Sequence, residues 1–297
     1  MPRWFLFTLV AVFSWGLWAV LSRAIGDALS AFQSQALSTL GLIPVMIALG
    51  FGRKPVDRGN RRRGNFNAFL AGALTCAGNV AYYHALNSGA KATVVVPLTA
   101  LFPLVTVLLA VKFLNERLNS IQVCGTILSL VAIGVFNITS VAGIVNQWLF
   151  YTLLPIGLWG ISGLFQKMST NDISGERSAF WFLASFVPVS VLLLLLHPVT
   201  GSISPRIWWL VALIGLTFSF GNYAILLAFE RNGKASIIAP ISGLYPIVSI
   251  PIAIVCFEEH LTLRETLGIV LALVSVVALA WEHSAKTTPG TDLKPQL

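Results

Sequence analysis

The chain has 297 residues, of which 56% are apolar and only 10% charged, and its mean hydropathy is +0.83. So little polar surface cannot cover a soluble globule, which excludes a soluble enzyme or binding domain and predicts an integral membrane protein. A net charge of +8 raises nucleic acid or a lipid surface as partner, and the placement of the basic residues along the chain decides between them.

About 20 apolar residues cross the hydrocarbon core as a helix. The hydropathy pattern then predicts ten spans, near residues 4–25, 31–51, 66–87, 92–113, 119–138, 149–169, 178–197, 206–229, 235–257 and 262–281. The first follows a basic start, as in a signal peptide, but its apolar run is too long and holds Trp15 and Trp18, so it is read as an uncleaved span. With the N-terminus in the cytoplasm, one side receives Arg3, the cluster Arg53, Lys54, Arg58, Arg61, Arg62 and Arg63, and a further eight basic residues; the other receives Arg23, Lys91, Arg206 and Arg264. That asymmetry predicts a multi-pass inner-membrane protein with both termini cytoplasmic. It also makes the basic loop a topology signal rather than a nucleic-acid site. Cys76, Cys124 and Cys256 fall inside spans as small apolar residues, and the histidines have no metal-ligand spacing, so neither a metal nor another cofactor is expected.

Sliding the chain on itself by 143 residues pairs Asn79 with Asn222, Lys91 with Lys234, Pro97 with Pro240, Pro103 with Pro246, Glu116 with Glu259 and Gly125 with Gly268. Earlier in the chain a spacing of 144 pairs Trp15-Gly16 with Trp159-Gly160 and Pro44 with Pro188. Asn, Lys and Glu are scarce in apolar helices, so these matches indicate a duplication. The first repeat covers residues 1–140, the second 141–282, and a polar tail over 283–297 is expected to be disordered. Five spans per repeat is an odd number, so the copies must run through the membrane in opposite senses. The fold class expected is therefore all-α, ten transmembrane helices as two inverted five-helix repeats around a central cavity. In that architecture the substrate site lies at the repeat interface near mid-depth.

Polar and aromatic residues form matched stripes. The first span carries Trp15, Trp18 and Ser22 on one face, and the sixth carries Trp159, Ser162 and Gln166. Asn79 and Tyr83 follow Gly72 and Cys76 on the third; Asn222 follows Gly215 and Ser219 on the eighth. Thr99 and Phe102 on the fourth match Ser242 and Tyr245 on the ninth. Pro97, Pro103, Pro240 and Pro246 each remove a helical hydrogen bond and predict kinks at mid-depth, which suits a cavity wall. The two asparagines can hold a polar group of the substrate or join neighbouring helices. Lys91 and Lys234 can attract a carboxylate at each mouth or snorkel. Glu116 and Glu259 are expected in turn networks within each repeat, and His84 at the outer mouth. The aliphatic fifth and tenth spans read as packing elements or as the contact of a homo-oligomer.

Two five-helix copies, each with a P-x5-P helix, then Asn-Glu-Arg-Leu (Asn115 to Leu118) or Glu-Glu-His-Leu (Glu258 to Leu261), then a Gly-led aliphatic helix, resemble the EamA branch of the drug/metabolite transporter superfamily. The resemblance implies a cavity lined by the first, third, fourth, sixth, eighth and ninth spans, and carries over to Trp15, Asn79, Thr99, Phe102, Trp159, Asn222, Ser242 and Tyr245. Trp18, Tyr83 and Ser162 join them as candidates from the stripes. Members of the family move amino acids, their derivatives and other small metabolites, and relatives move nucleotide sugars or lipid-linked sugars. The expected function is secondary transport of a small molecule by alternating access, with export of an amino acid or derivative as the first reading. Import or flipping of a sugar-bearing, nucleotide or lipid-linked substrate is the alternative. An intramembrane enzyme is disfavoured because no Asp, Glu or paired His falls at mid-depth of a span.

Overall fold

The computed structural model describes residues 2–51, 57–137, 147–231 and 233–281. The expected disordered tail, the loop over 141–146, and Arg53 and Lys54 of the basic cluster lie outside the described residues. Within the described residues the chain forms 14 α-helices and no strand. They are α1 (Arg3–Ala24), α2 (Ala31–Ser38), α3 (Ile43–Phe51), α4 (Arg61–Asn87), α5 (Ala92–Thr99), α6 (Phe102–Leu114) and α7 (Ser120–Asn137), then α8 (Gln147–Asp172), α9 (Gly175–Ala184), α10 (Phe186–Leu196), α11 (Pro205–Glu230), α12 (Ala235–Ser242), α13 (Pro246–Phe257) and α14 (Leu263–Ala280). Several are halves of one pass: α2 and α3 are joined by a 3-10 turn over Thr39–Leu42, and α9 and α10 meet at Ser185. Among the described residues, eight single or broken helices are long and apolar enough to cross a membrane. Large apolar side chains such as Leu6, Phe13, Ile47, Val191, Leu195, Val255 and Val274 are exposed around the outside, where a bilayer rather than water matches them.

Local chemistry sets the helix ends. Ser30 with Gln33, and Thr262 with Glu265, form reciprocal capping boxes at α2 and α14. The Asn60 side chain accepts the N–H groups of Arg62 and Arg63 at the start of α4. Pro103 and Pro246 open α6 and α13, where a missing N–H is harmless, and the breaks fall just before them, at Ala100–Leu101 and Gly243–Tyr245. Pro97 and Pro240 sit inside the short helices α5 and α12, one turn ahead of each break.

Packing repeats itself in the two halves of the chain. α4 lies along α8 and α1 along α11. A Cβ on Gly72 would overlap the Phe182 carbonyl, and one on Gly215 the Ser38 carbonyl; each crossing is open only to glycine. Gly78 is covered by the Trp159 indole and Gly221 by that of Trp15. Every one of these contacts recurs at the spacings of the duplication. α7 and α14 pack on each other, with the Gly125 position against Leu279 N and Ser275 O. Their small residues are thus used within one chain, leaving aliphatic faces such as Ile127, Leu130, Val270 and Val277 outward.

The basic loop is tied down by acids. Arg63 binds Asp172 through both carboxylate oxygens at 2.7 Å, while the Asp172 carbonyl accepts the Arg58 and Gly59 N–H groups. Asp57 pairs with Arg61 at 2.7 Å and Arg177 at 3.1 Å.

Candidate functional site

Between α1, α4, α6, α8, α11 and the α12–α13 break lies a cavity of about 50 Å³, room for a few water molecules. Its wall is largely aromatic: Trp15, Trp18, Phe102, Trp159, Phe218 and Tyr245. Edge-on contacts lock the rings together, with Trp18 and Trp159 centroids 5.8 Å apart and Phe102 and Trp159 6.3 Å apart. Thr75, Gln166, Asn222 and Ser242 supply the polar part of the wall. None of the residues lining it carries a full charge.

The matched stripes divide on inspection of the wall. Trp15, Trp18, Phe102, Trp159, Asn222, Ser242 and Tyr245 line the cavity; Asn79, Tyr83, Thr99 and Ser162 stand behind it. For Ser162 the reason is a hydrogen-bonded seam between α8 and α4. Its hydroxyl meets Thr75 Oγ1 at 2.7 Å and donates to the Ala71 carbonyl at 2.8 Å. Tyr83 is buried against α1, its phenol 3.5 Å from Ser22 Oγ. Asn79 is buried, and its Oδ1 accepts no hydrogen bond within the described residues. Thr99 donates to the carbonyls of its own last turn, Val95 and Val96, and meets Tyr245 Oη at 2.9 Å.

Tyr245 therefore faces the cavity with its ring and fastens the opposite helix with its phenol, which also donates to Val96 O at 3.2 Å. Its counterpart Phe102 has no hydroxyl, and within the described residues Ser242 bonds the Ala239 carbonyl of its own helix. A second asymmetry concerns the tryptophans. Trp159 Nε1 donates to Thr75 O at 3.3 Å, whereas Trp15 Nε1 has no acceptor within the described residues, and the Phe218 carbonyl at the corresponding position accepts Asn222 Nδ2 at 2.9 Å.

Among the lining residues that the stripes did not single out, Thr75 and Phe218 are a matched pair 143 residues apart, one turn before Asn79 and Asn222. Self-comparison could have found that position by its place in the repeat, but Thr against Phe gives no match of residue type. Ile225, Phe229 and Ala239 look like any core residue in sequence.

Outside the cavity, the mouth residues have partners. Lys91 is tied to Glu265 at 2.9 Å and to the His260 carbonyl at 2.8 Å, which removes it as a free attractor of carboxylates. His84 stacks on Tyr151 with centroids 4.8 Å apart and meets Phe32 edge-on. Glu116 and Glu259 do not serve turns within their own repeats. Glu116 accepts the N–H groups of Ala235 and Ser236, and Glu259 those of Ala92 and Thr93; each reaches the other half of the chain.

This fold, apolar outside with an uncharged aromatic cavity between two like halves, is that of a multi-pass helical membrane protein. A profile of the EamA-like transporter family matches residues 2–138 and again residues 146–281, and the chain belongs to that family: it is a membrane transporter. An uncharacterized protein of Methanocaldococcus jannaschii is 30% identical over 132 residues, covering 44% of this chain and 93% of its own. One solved crystal structure, 17% identical, superimposes with a TM-score of 0.67 over 92% of this chain and 94% of its own, a likeness of fold.

Proposed function

We propose that the chain is a secondary carrier of a small amphipathic metabolite, with export of an amino acid or amino-acid derivative as the preferred reading, and that it works by alternating access of two inverted five-helix repeats. The observation that carries the reading is the cavity itself. It sits where the halves meet, its aromatic wall suits an apolar body, and its carboxamides and hydroxyls, Gln166, Asn222 and Ser242, suit polar groups without demanding a net charge. Ten passes follow if α4 and α7 cross alongside the eight more apolar helices. The M. jannaschii relative, little longer than one matched segment, favours the single repeat as the original unit. At its present volume the cavity holds water only, so binding requires the halves to part and the aromatic wall to open.

The test is thermal stability of the purified protein against panels of amino acids, nucleotides and sugars. A ligand at 100 times its Kd stabilises the fold by about 2.7 kcal/mol. We expect a selective rise in Tm with members of the amino-acid panel and its disappearance in Asn222→Leu, with the ligand-free Tm changed far less. A rise only with nucleotides or sugars would overturn the substrate class.

A further inference from the structure

The geometry points to Glu116 and Glu259 as a pair of reciprocal latches that close the two ends of the cavity in turn; the inference rests on the carrier reading above. Glu116 follows α6, and its carboxylate accepts Ala235 N–H at 3.2 Å and Ser236 N–H at 3.0 Å, the first free donors of α12. Glu259 follows α13 and accepts Ala92 N–H at 2.9 Å and Thr93 N–H at 2.8 Å at the start of α5. A carboxylate on two unsatisfied helix N–H groups joins charge-assisted hydrogen bonding to the favourable end of the helix dipole. Local sequence aims both groups: Asn115 and Glu258 adopt left-handed backbone at φ 55° and 52°, turning the chain off the helix axis so that the next residue reaches across.

The latches lie at opposite ends of the molecule. α5 and α6 form one broken pass, so its start, held by Glu259, and its end, bearing Glu116, are a full pass apart. Glu116 shares its end with the Arg63–Asp172 pair, because α4 begins there, runs to the Lys91 end, and α5–α6 return. Each bond joins one half of the chain to the other, across the seam that must part for a substrate to enter. Both are made here, which fits a cavity too small for a metabolite.

The two differ in how firmly they are set. Glu259 is buried, with Arg23 Nε at 3.7 Å, and the Lys91–Glu265 pair braces the same end. Glu116 borders an open polar hollow of about 320 Å³ with Arg117, Asn119 and Lys234. Water reaches that latch, so the Glu116 end opens more readily.

The test needs no substrate. In a variant lacking the three native cysteines, Ser242→Cys reports entry to the cavity by a membrane-impermeant maleimide applied to right-side-out or inverted vesicles. Glu116→Gln loses the charge from its hydrogen bonds and should raise labelling from the Arg63 face about tenfold. Glu259→Gln should do the same from the Lys91 face only. Should Glu259→Gln fail to fold, Glu259→Asp keeps the charge and shortens the reach; hydrogen exchange at Ala235–Ser236 in Glu116→Gln supplies a second readout, expected to quicken. Labelling unchanged in both variants, or raised from the same face in both, overturns the latches. Face-specific opening in a protein whose Tm no member of the ligand panels raises would leave the latches standing and remove the carrier reading, whereas a selective Tm rise with unchanged labelling would do the reverse.

Discussion

Tyr245 shows how one oxygen atom makes two matched helix breaks differ. Its ring is matched by Phe102, but only its phenol bridges the break of the opposite pass, to Thr99 and the Val96 carbonyl. That carbonyl sits one residue before Pro97, in a segment where the helical ladder is already weakened. Tyr245→Phe keeps the ring and gives the position the residue type of its counterpart Phe102. It should lower stability by about 1 kcal/mol, the net worth of an ordinary buried hydrogen bond, read as a small fall in Tm. A fall as large as that of a cavity-forming Tyr245→Ala would mean that the phenol does more than bridge. The tryptophan pair carries the same lesson, since Trp159 is satisfied by Thr75 O while Asn222 occupies the matching Phe218 carbonyl, leaving Trp15 Nε1 without an acceptor within the described residues.

Among the elements, the crossings of α4 with α9 and of α11 with the turn after α2 are set by bare backbone. At Gly72 and Gly215 a side chain would collide with main-chain carbonyls rather than with a flexible tip, so the helices could not keep their approach. Gly72→Leu and Gly215→Leu should each abolish folded protein in detergent, since overpacking against backbone costs more than the 1–3 kcal/mol of an ordinary overpacked core, about that range being typical. Gly134, with open space where its Cβ would stand, is the control: Gly134→Ala should fold normally and gain helix propensity. Equal loss in all three would place the defect in insertion rather than in packing. The broken passes α5–α6 and α12–α13 owe their shape to Pro103 and Pro246, which start a new helix and oblige the chain to bend before it.

On the scale of the whole molecule the expected orientation follows from the charge asymmetry, and the ion pairs of Asp57 and Asp172 gather the same basic loop at one end. A reporter enzyme active only outside the cytoplasm should be silent when inserted after Asn60 and active after Gly201. The reverse pair of results would turn the molecule over and exchange the faces of the two latches. α7 and α14, packed on each other at the edge, show that small residues in a lipid-facing pair need not mark a subunit contact.

How much was legible in the chain depends on the kind of regularity involved. Duplication, helical spans and proline breaks are translational patterns: a residue type recurring after 143 residues, an apolar run of fixed length, a missing N–H. Such features are written in sequence order, and the described helices begin and end near the expected spans, with four of the spans broken into two helices. The wall of the cavity was legible only in part, because a stripe fixes which residues share a helix face and not what that face meets. Asn222 and Asn79 occupy matched positions, yet one reaches the cavity and the other is buried behind it. Glu116 and Glu259 were visible as a matched pair and their partners were not, since the N–H groups they hold lie 119 and 167 residues away along the chain. Backbone donors carry no residue identity, so only the folded chain could reveal which helix end each carboxylate caps.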